Sequence, residues 1–284
     1  MLLSFNDSQE IKEKYILATQ DWLKKKIDPK SAQEIAHELF KTSKTFTSSE
    51  CVLENYEDFP TNLGLPDWLG NLLFTFNHYN SKSFSGFGEN YEEHFYPNFL
   101  KSCNVGVDYS LLFHQWELMI LTEMLPKQEQ STKYFTELIN LHKNALAFKA
   151  TDHKEWISLQ REIDNYLQNV NEFTGVPKKV GLKEIEIFEN LQSGKGNHKE
   201  AYGYRRYRES YGKIIRNSGR VAYLSIENHI NKVDPYTTSA EAIVDALVEE
   251  SINNKVDIVN EQEFRKNVWT QLIKRLIVML KDWK

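Results

Sequence analysis

Glu34 and His37 form an ExxH pair and His114 and Glu117 an HxxE pair, each spaced so that both side chains fall on one face of a helix. Carboxylate-bridged metal sites in helical bundles are built from such parts, but they need the ExxH order on two helices together with two further carboxylates. Only Glu34 and His37 have that order. Glu34, His37, His114 and Glu117 are therefore candidate metal ligands short of a full set, and the expectation is that no metal or cofactor is bound. The competing expectation for His114 and Glu117 is a polar pair satisfied inside a crowded core, bonded to each other. Ser110 shares their narrow face, which reads as the strip of that helix that meets water. Glu117 matters most if it is buried, because a carboxylate removed from water is costly unless it is paired, protonated or bound to an ion.

The other chemically suggestive stretch runs from Lys195 to Arg220 and interleaves eight Lys or Arg residues with four tyrosines. On a helical projection Tyr204, Tyr207 and Tyr211 share one face with Ile214 and Ile215. Arg205, Arg206, Lys213 and Arg216 lie opposite, with Arg208 at the margin. That division disfavours single-stranded nucleic-acid recognition, which needs aromatic rings and cations on one exposed surface. Arg205–Glu209 and Glu209–Lys213 are i,i+4 pairs, and after that pairing Arg206, Arg208, Arg216 and Arg220 remain without an obvious local acid. Unpaired guanidinium groups suit a carboxylate or phosphate partner. That partner is either external or an internal acidic face such as Glu241, Asp245, Glu249 and Glu250. The candidate binding residues are Lys195, Arg205, Arg206, Arg208, Arg216 and Arg220. Ser193-Gly194-Lys195-Gly196 is a fragment of a phosphate loop and no more, since neither GxxxxGK[ST] nor GxGxxG occurs, and no GxSxG elbow is present.

These residues sit in a chain of 284 residues with 40% hydrophobic and 13% aromatic content, long enough to bury a core without disulfides or metal. The net charge of −5 argues against a general polyanion-coating protein and leaves the basic stretch as a local feature. Cys51 and Cys103 lack a CxxC spacing and fit reduced thiols. Neither a signal peptide nor a membrane-length apolar run is apparent, so the expectation is a soluble, cytoplasmic protein with no membrane association.

Periodicity predicts an all-α fold, a bundle of about ten helices around a buried central helix at 109–125. That central segment, introduced by Asp108 and closed by Pro126, is apolar over most of its circumference. Asn6, Asp7 and Ser8 offer caps to a first helix, and Ser31 with Glu34 makes a capping box for a second. Segments 131–150 and 151–173, the second capped by Thr151, suit an antiparallel hairpin. Thr238 with Glu241 is another capping box, and the final helix carries a wide apolar face from Phe264 to Trp283. The Gly/Pro-bracketed stretch Thr174–Gly181 marks a boundary between an N-terminal helical domain or subdomain, 1–174, and a C-terminal one, 175–284. The loop from Tyr79 to Asn90 is expected to tuck its phenylalanines into the core.

The functional expectation that follows is a helical binding protein, most simply for another protein, in an adaptor or inhibitor-like role, using a surface that includes the Arg-rich helix. The alternatives are nucleic-acid binding by residues 195–220 and an enzyme with a carboxylate/His site in the core. The absence of any complete catalytic motif leans the reading away from an enzyme.

Overall fold

A computed structural model describes residues 3–23, 63–70, 72, 98–125, 133–149, 151–168, 219–227, 229–230, 239–253 and 261–284. Among these the regular structure is helical, without strands, as the periodicity predicts. The longer elements are α1 (Gln9–Leu23), α2 (Leu112–Met119), a π-helical turn (Ile120–Met124), α3 (Lys133–Leu146) and α4 (His153–Gln168). After these come α5 (219–227), α6 (Ser239–Asn253) and α7 (Glu261–Asp282). The second helix expected around Ser31 and Glu34, the Tyr79–Asn90 loop, the Thr174–Gly181 linker and Thr238 lie outside the described residues. The chain divides into two compact units, Met1–Trp116 with Lys266–Lys284, and Glu117–Arg265.

The first unit is closed by polar contacts between residues far apart in sequence. Phe5, Asn6 and Asp7 all have positive φ, a conformation that costs L-residues about 1–2 kcal/mol each. What holds this left-handed turn is backbone pairing: Ser4 N donates to Val107 O (3.1 Å), Gly106 N to Ser4 O (3.1 Å) and Phe5 N to Leu63 O (2.5 Å). Gly64, itself at φ 64°, admits no side chain, because a Cβ there would sit 2.0 Å from Leu3 O. Asn6 and Asp7 thus build the turn, and the cap of α1 falls to Ser8, whose Oγ accepts from Ile11 N at 3.3 Å.

Tyr109 is fully buried in the same unit and fastens α7. Its hydroxyl accepts from Asn104 N (2.5 Å) and donates to Leu280 O (3.1 Å). Asn104 Nδ2 donates to Lys281 O and Trp283 O, both at 3.1 Å, and Trp283 Nε1 donates to Asp108 O at 2.9 Å. The last carbonyls of α7, which have no partner within their own helix, are thereby satisfied by side chains. Within α7 the buried residues Val268, Trp269, Leu272, Ile273, Leu276 and Leu280 form the apolar face that the sequence predicts.

In the second unit α3 packs on α4, and the π turn packs on α3 and α6. The buried stripe of α3 is Tyr134, Phe135, Leu138, Leu141 and His142, at helical spacing, and that of α4 is Trp156, Leu159 and Ile163. Each large apolar side chain so buried stabilises the unit by about 1.5–3 kcal/mol before entropy is charged against it. The α3–α4 pair matches the predicted hairpin, with one correction: Asp152, rather than Thr151, supplies the N-terminal oxygen, accepting from Lys154 N at 3.0 Å. α3 ends in a turn where Lys149 N reaches Asn144 O (3.0 Å) and Phe148 takes φ 53° with 84% of its surface exposed.

The segment predicted as one helix over 109–125 is built from three pieces. Asp108 Oδ1 accepts from Ser110 N (2.9 Å) in a local turn, α2 begins at Leu112, and the chain then widens into the π turn, where Leu125 N donates to Ile120 O (2.9 Å). Pro126 follows, and it holds Leu125 in the extended region at ψ 139°. As expected, the segment is deeply buried, with Leu112, Trp116, Met119, Ile120 and Leu121 in the core.

Candidate functional site

Glu117 is the first residue of the second unit and is 1% exposed. It does not lie on a wet strip. Ser110 is exposed but belongs to the turn before α2, so it continues no helical face, and His114 is 5% exposed. The expected strip of Ser110, His114 and Glu117 is thereby corrected to one exposed turn residue and two buried helical ones.

The hydroxyls that face the Glu117 carboxyl come from two other helices, Ser225 of α5 and Ser239 at the start of α6. Ser225 also touches His142 of α3, with Nε2 and Oγ 2.6 Å apart. Ser225, Ser239 and His142 are each 0–1% exposed. Burial is the dominant influence on Glu117 and pushes its carboxyl up to about 7; the nearness of the two serine hydroxyls, whose dipoles favour the ionised form, pulls it part of the way back. Glu117 Oε2 and Ser239 Oγ nevertheless make no hydrogen bond of ordinary geometry, so the carboxyl is approached by hydroxyls but not saturated by them. A group with these properties gains and loses a proton near neutrality, where an exposed glutamate is always charged.

Aromatic rings wall the imidazole side. Trp156, fully buried, meets the His142 ring edge-on at 5.1 Å and stacks on His229 at 4.0 Å. Burial, and then the nearby His153, hold His229 below its ordinary value, so at neutral pH the stacked ring is uncharged. At the outer edge of this region Gln160 Nε2 donates to Glu227 Oε2 at 2.9 Å. Glu227 also raises the Tyr223 phenol to about 12 by accepting its proton.

Carboxyl, hydroxyl and imidazole lie in series, Glu117 facing Ser225 and Ser225 touching His142. The 2.6 Å contact would suit a Ser–His nucleophile–base pair, but in a hydrolytic triad the acid orients the imidazole from its far nitrogen. Here the acid faces the hydroxyl instead, an order suited to passing a proton.

Of the sequence candidates, the structure brings Glu117 into a polar cluster. His114 lies in the first unit, with the Phe113 ring edge-on at 5.4 Å. Glu34, His37, Lys195, Arg205, Arg206, Arg208 and Arg216 lie outside the described residues. Arg220 is part-exposed near the start of α5. Among the described residues no three His, Cys, Asp or Glu side chains gather as for a metal, and no helix is long and apolar enough to cross a membrane.

His142, Ser225 and Ser239 are cluster members that sequence reasoning missed. A signal for His142 existed: it stands four residues after Leu138 and seven after Phe135, inside the apolar stripe of α3. Comparison with known proteins adds no relative: no family model, no curated protein and no solved structure matches the chain.

Proposed function

We propose that the chain is a helical binding protein for a macromolecular partner, a protein in the first instance, acting in the cytoplasm in an adaptor or inhibitor-like role. The contact surface includes the Arg-rich stretch 195–220. The supporting observation is the group of arginines at Arg206, Arg208, Arg216 and Arg220, none of which has an acid four residues away, the one acid within three, Glu209, being shared with Arg205 and Lys213. One internal acid that could have answered them is already occupied: Asp245 of α6 is held by Arg265 Nη1 at 2.5 Å, and Arg265 Nε holds Glu261 at 2.8 Å.

The test is charge reversal of Arg206, Arg216 and Arg220 together in the full chain. Cross-linking and mass spectrometry would map partner contacts of wild type and variant, and retention on a polyanion column would be measured across a salt series. Loss of a protein partner that cross-links to 195–220 supports the reading. Loss of polyanion retention alone, with the steep salt dependence of phosphate contacts, transfers the stretch to nucleic acid. Unchanged behaviour in both assays overturns it.

A further inference from the structure

The Glu117 cluster serves no part of the binding surface proposed above, yet it gathers Glu117, His142, Ser225 and Ser239, the polar residues buried among the described residues of the second unit. Its geometry allows two arrangements of the same protons. With the carboxyl protonated, Glu117 donates to Ser225 Oγ, the serine O–H donates to His142 Nε2, and the ring proton sits on Nδ1. With the carboxyl ionised, the directions reverse: His142 carries its proton on Nε2 and donates to Ser225 Oγ, and the serine O–H donates to the carboxylate. One proton leaves to water, and the neutral imidazole changes tautomer.

The π turn Ile120–Met124 begins three residues after Glu117 and packs on α3, which carries His142, and on α6, which begins at Ser239. A turn closed by an i→i+5 bond, here Leu125 N to Ile120 O at 2.9 Å, is less favourable than the α-helix it continues and is maintained by its surroundings. Of the two elements that maintain it, α3 carries His142, whose hydrogen bond reverses, and α6 carries Ser239, which faces the same carboxyl.

We propose that Glu117, Ser225 and His142 form a proton-operated latch on the π turn: the protonated arrangement holds Ile120–Met124 closed, and loss of the Glu117 proton loosens it. The groups facing the carboxyl are Ser225 from α5 and Ser239 from α6, with His142 of α3 behind Ser225. The helices of this unit also carry Tyr134, Glu241 and Glu249, each with a buried side-chain oxygen, and His229 and His153 lie beyond Trp156. These are the groups from which Glu117 must be distinguished. The upward displacement of its carboxyl, caused by burial, places the transition near neutral pH.

The test uses the full chain. Amide hydrogen exchange of residues 120–125, corrected for the intrinsic effect of pH, would be compared at about pH 5.5 and about pH 8.5. In parallel, the Glu117 side-chain carboxyl and the His142 ring nitrogens would be titrated by isotope-edited NMR. The expected result is a Glu117 midpoint near neutrality and a His142 tautomer that changes with the same midpoint. Protection of 120–125 should fall about tenfold at the higher pH, a local opening change of about 1.4 kcal/mol. Glu117→Gln should abolish the pH step in protection, and Ser225→Ala should uncouple the His142 tautomer from the carboxyl. The proposal is overturned if Glu117 titrates in the ordinary carboxylate range. It is equally overturned if Glu117 titrates near neutrality while the His142 tautomer and the protection of 120–125 stay fixed. Should Glu117→Gln fail to fold, the wild-type titrations alone decide between these outcomes.

Discussion

The two compact units each bury a polar network, and the networks obey opposite rules. Around Tyr109 and Asn104 the participants are a phenol, an amide, a hydroxyl and backbone groups; Tyr109 OH serves two partners and Asn104 four, Ser4 Oγ among them, and burial keeps the phenol's pKa well above its ordinary value. That network carries no charge at any physiological pH and works as a fastener. Around Glu117 the participants include a carboxyl that titrates near neutrality and two oxygens without a well-formed bond. A saturated neutral network adds stability that does not change with conditions, whereas an unsaturated ionisable one makes stability depend on them.

Glu117→Gln should remove that difference, and it has the largest expected effect. Below about pH 4.5 the folded and unfolded chains both hold the Glu117 proton; as pH rises toward about 7 the unfolded chain releases it first, so folding stability falls. The loss is complete above the folded value and amounts to about 3 kcal/mol from this group alone. The glutamine variant is neutral at every pH. In denaturant titrations it should lack this slope and be more stable than wild type near pH 8; an unchanged slope would assign the pH dependence to other groups.

Tyr109→Phe makes the opposite incursion, leaving Leu280 O and Asn104 N without their partner. The expected loss is about 2 kcal/mol, equal at acid and neutral pH. A pH-dependent loss would show that the first unit is not the passive one. A smaller effect is expected at the edge of the second unit. Arg265→Met removes one part-buried and one exposed ion pair and should cost about 1 kcal/mol, less in high salt, as read by thermal unfolding with and without added salt. Phe148→Gly relieves a left-handed aromatic residue that packs against little, and the gain, net of the extra freedom of glycine in the unfolded chain, should be about 0.5 kcal/mol.

The helical class, the α3–α4 hairpin and the apolar face of α7 were legible because each follows from periodicity within one segment. The left-handed turn at Phe5–Asp7 was not, although its residue types were a clue: Asn and Asp serve both as caps and as tolerant left-handed positions, and local sequence does not choose between those uses. The π turn has no sequence signature beyond Pro126. Within the site, Glu117 was legible as a carboxylate in an almost wholly apolar segment. Its setting was not, because Ser225 stands 83 residues from His142 and serines at helical positions are unremarkable singly. Which polar residues meet is settled by how helices assemble, a long-range outcome that spacing within a helix does not encode.

The fastener around Tyr109 also sets an order of events during synthesis. Its bonds join residues 104, 108 and 109 to carbonyls and a side chain at 280–283, so the first unit is assembled from the two ends of the described chain. The second unit, Glu117–Arg265, is continuous, and every residue of it is made before Trp283. A chain growing from its N-terminus can therefore complete its later segment first and must keep its earlier one waiting. During that interval the apolar residues of Met1–Trp116 lack the partners that α7 provides. A chain ended at residue 265 and tethered to the ribosome by a linker long enough to clear the exit tunnel should accordingly offer chaperones the N-terminal segment while protecting the middle one.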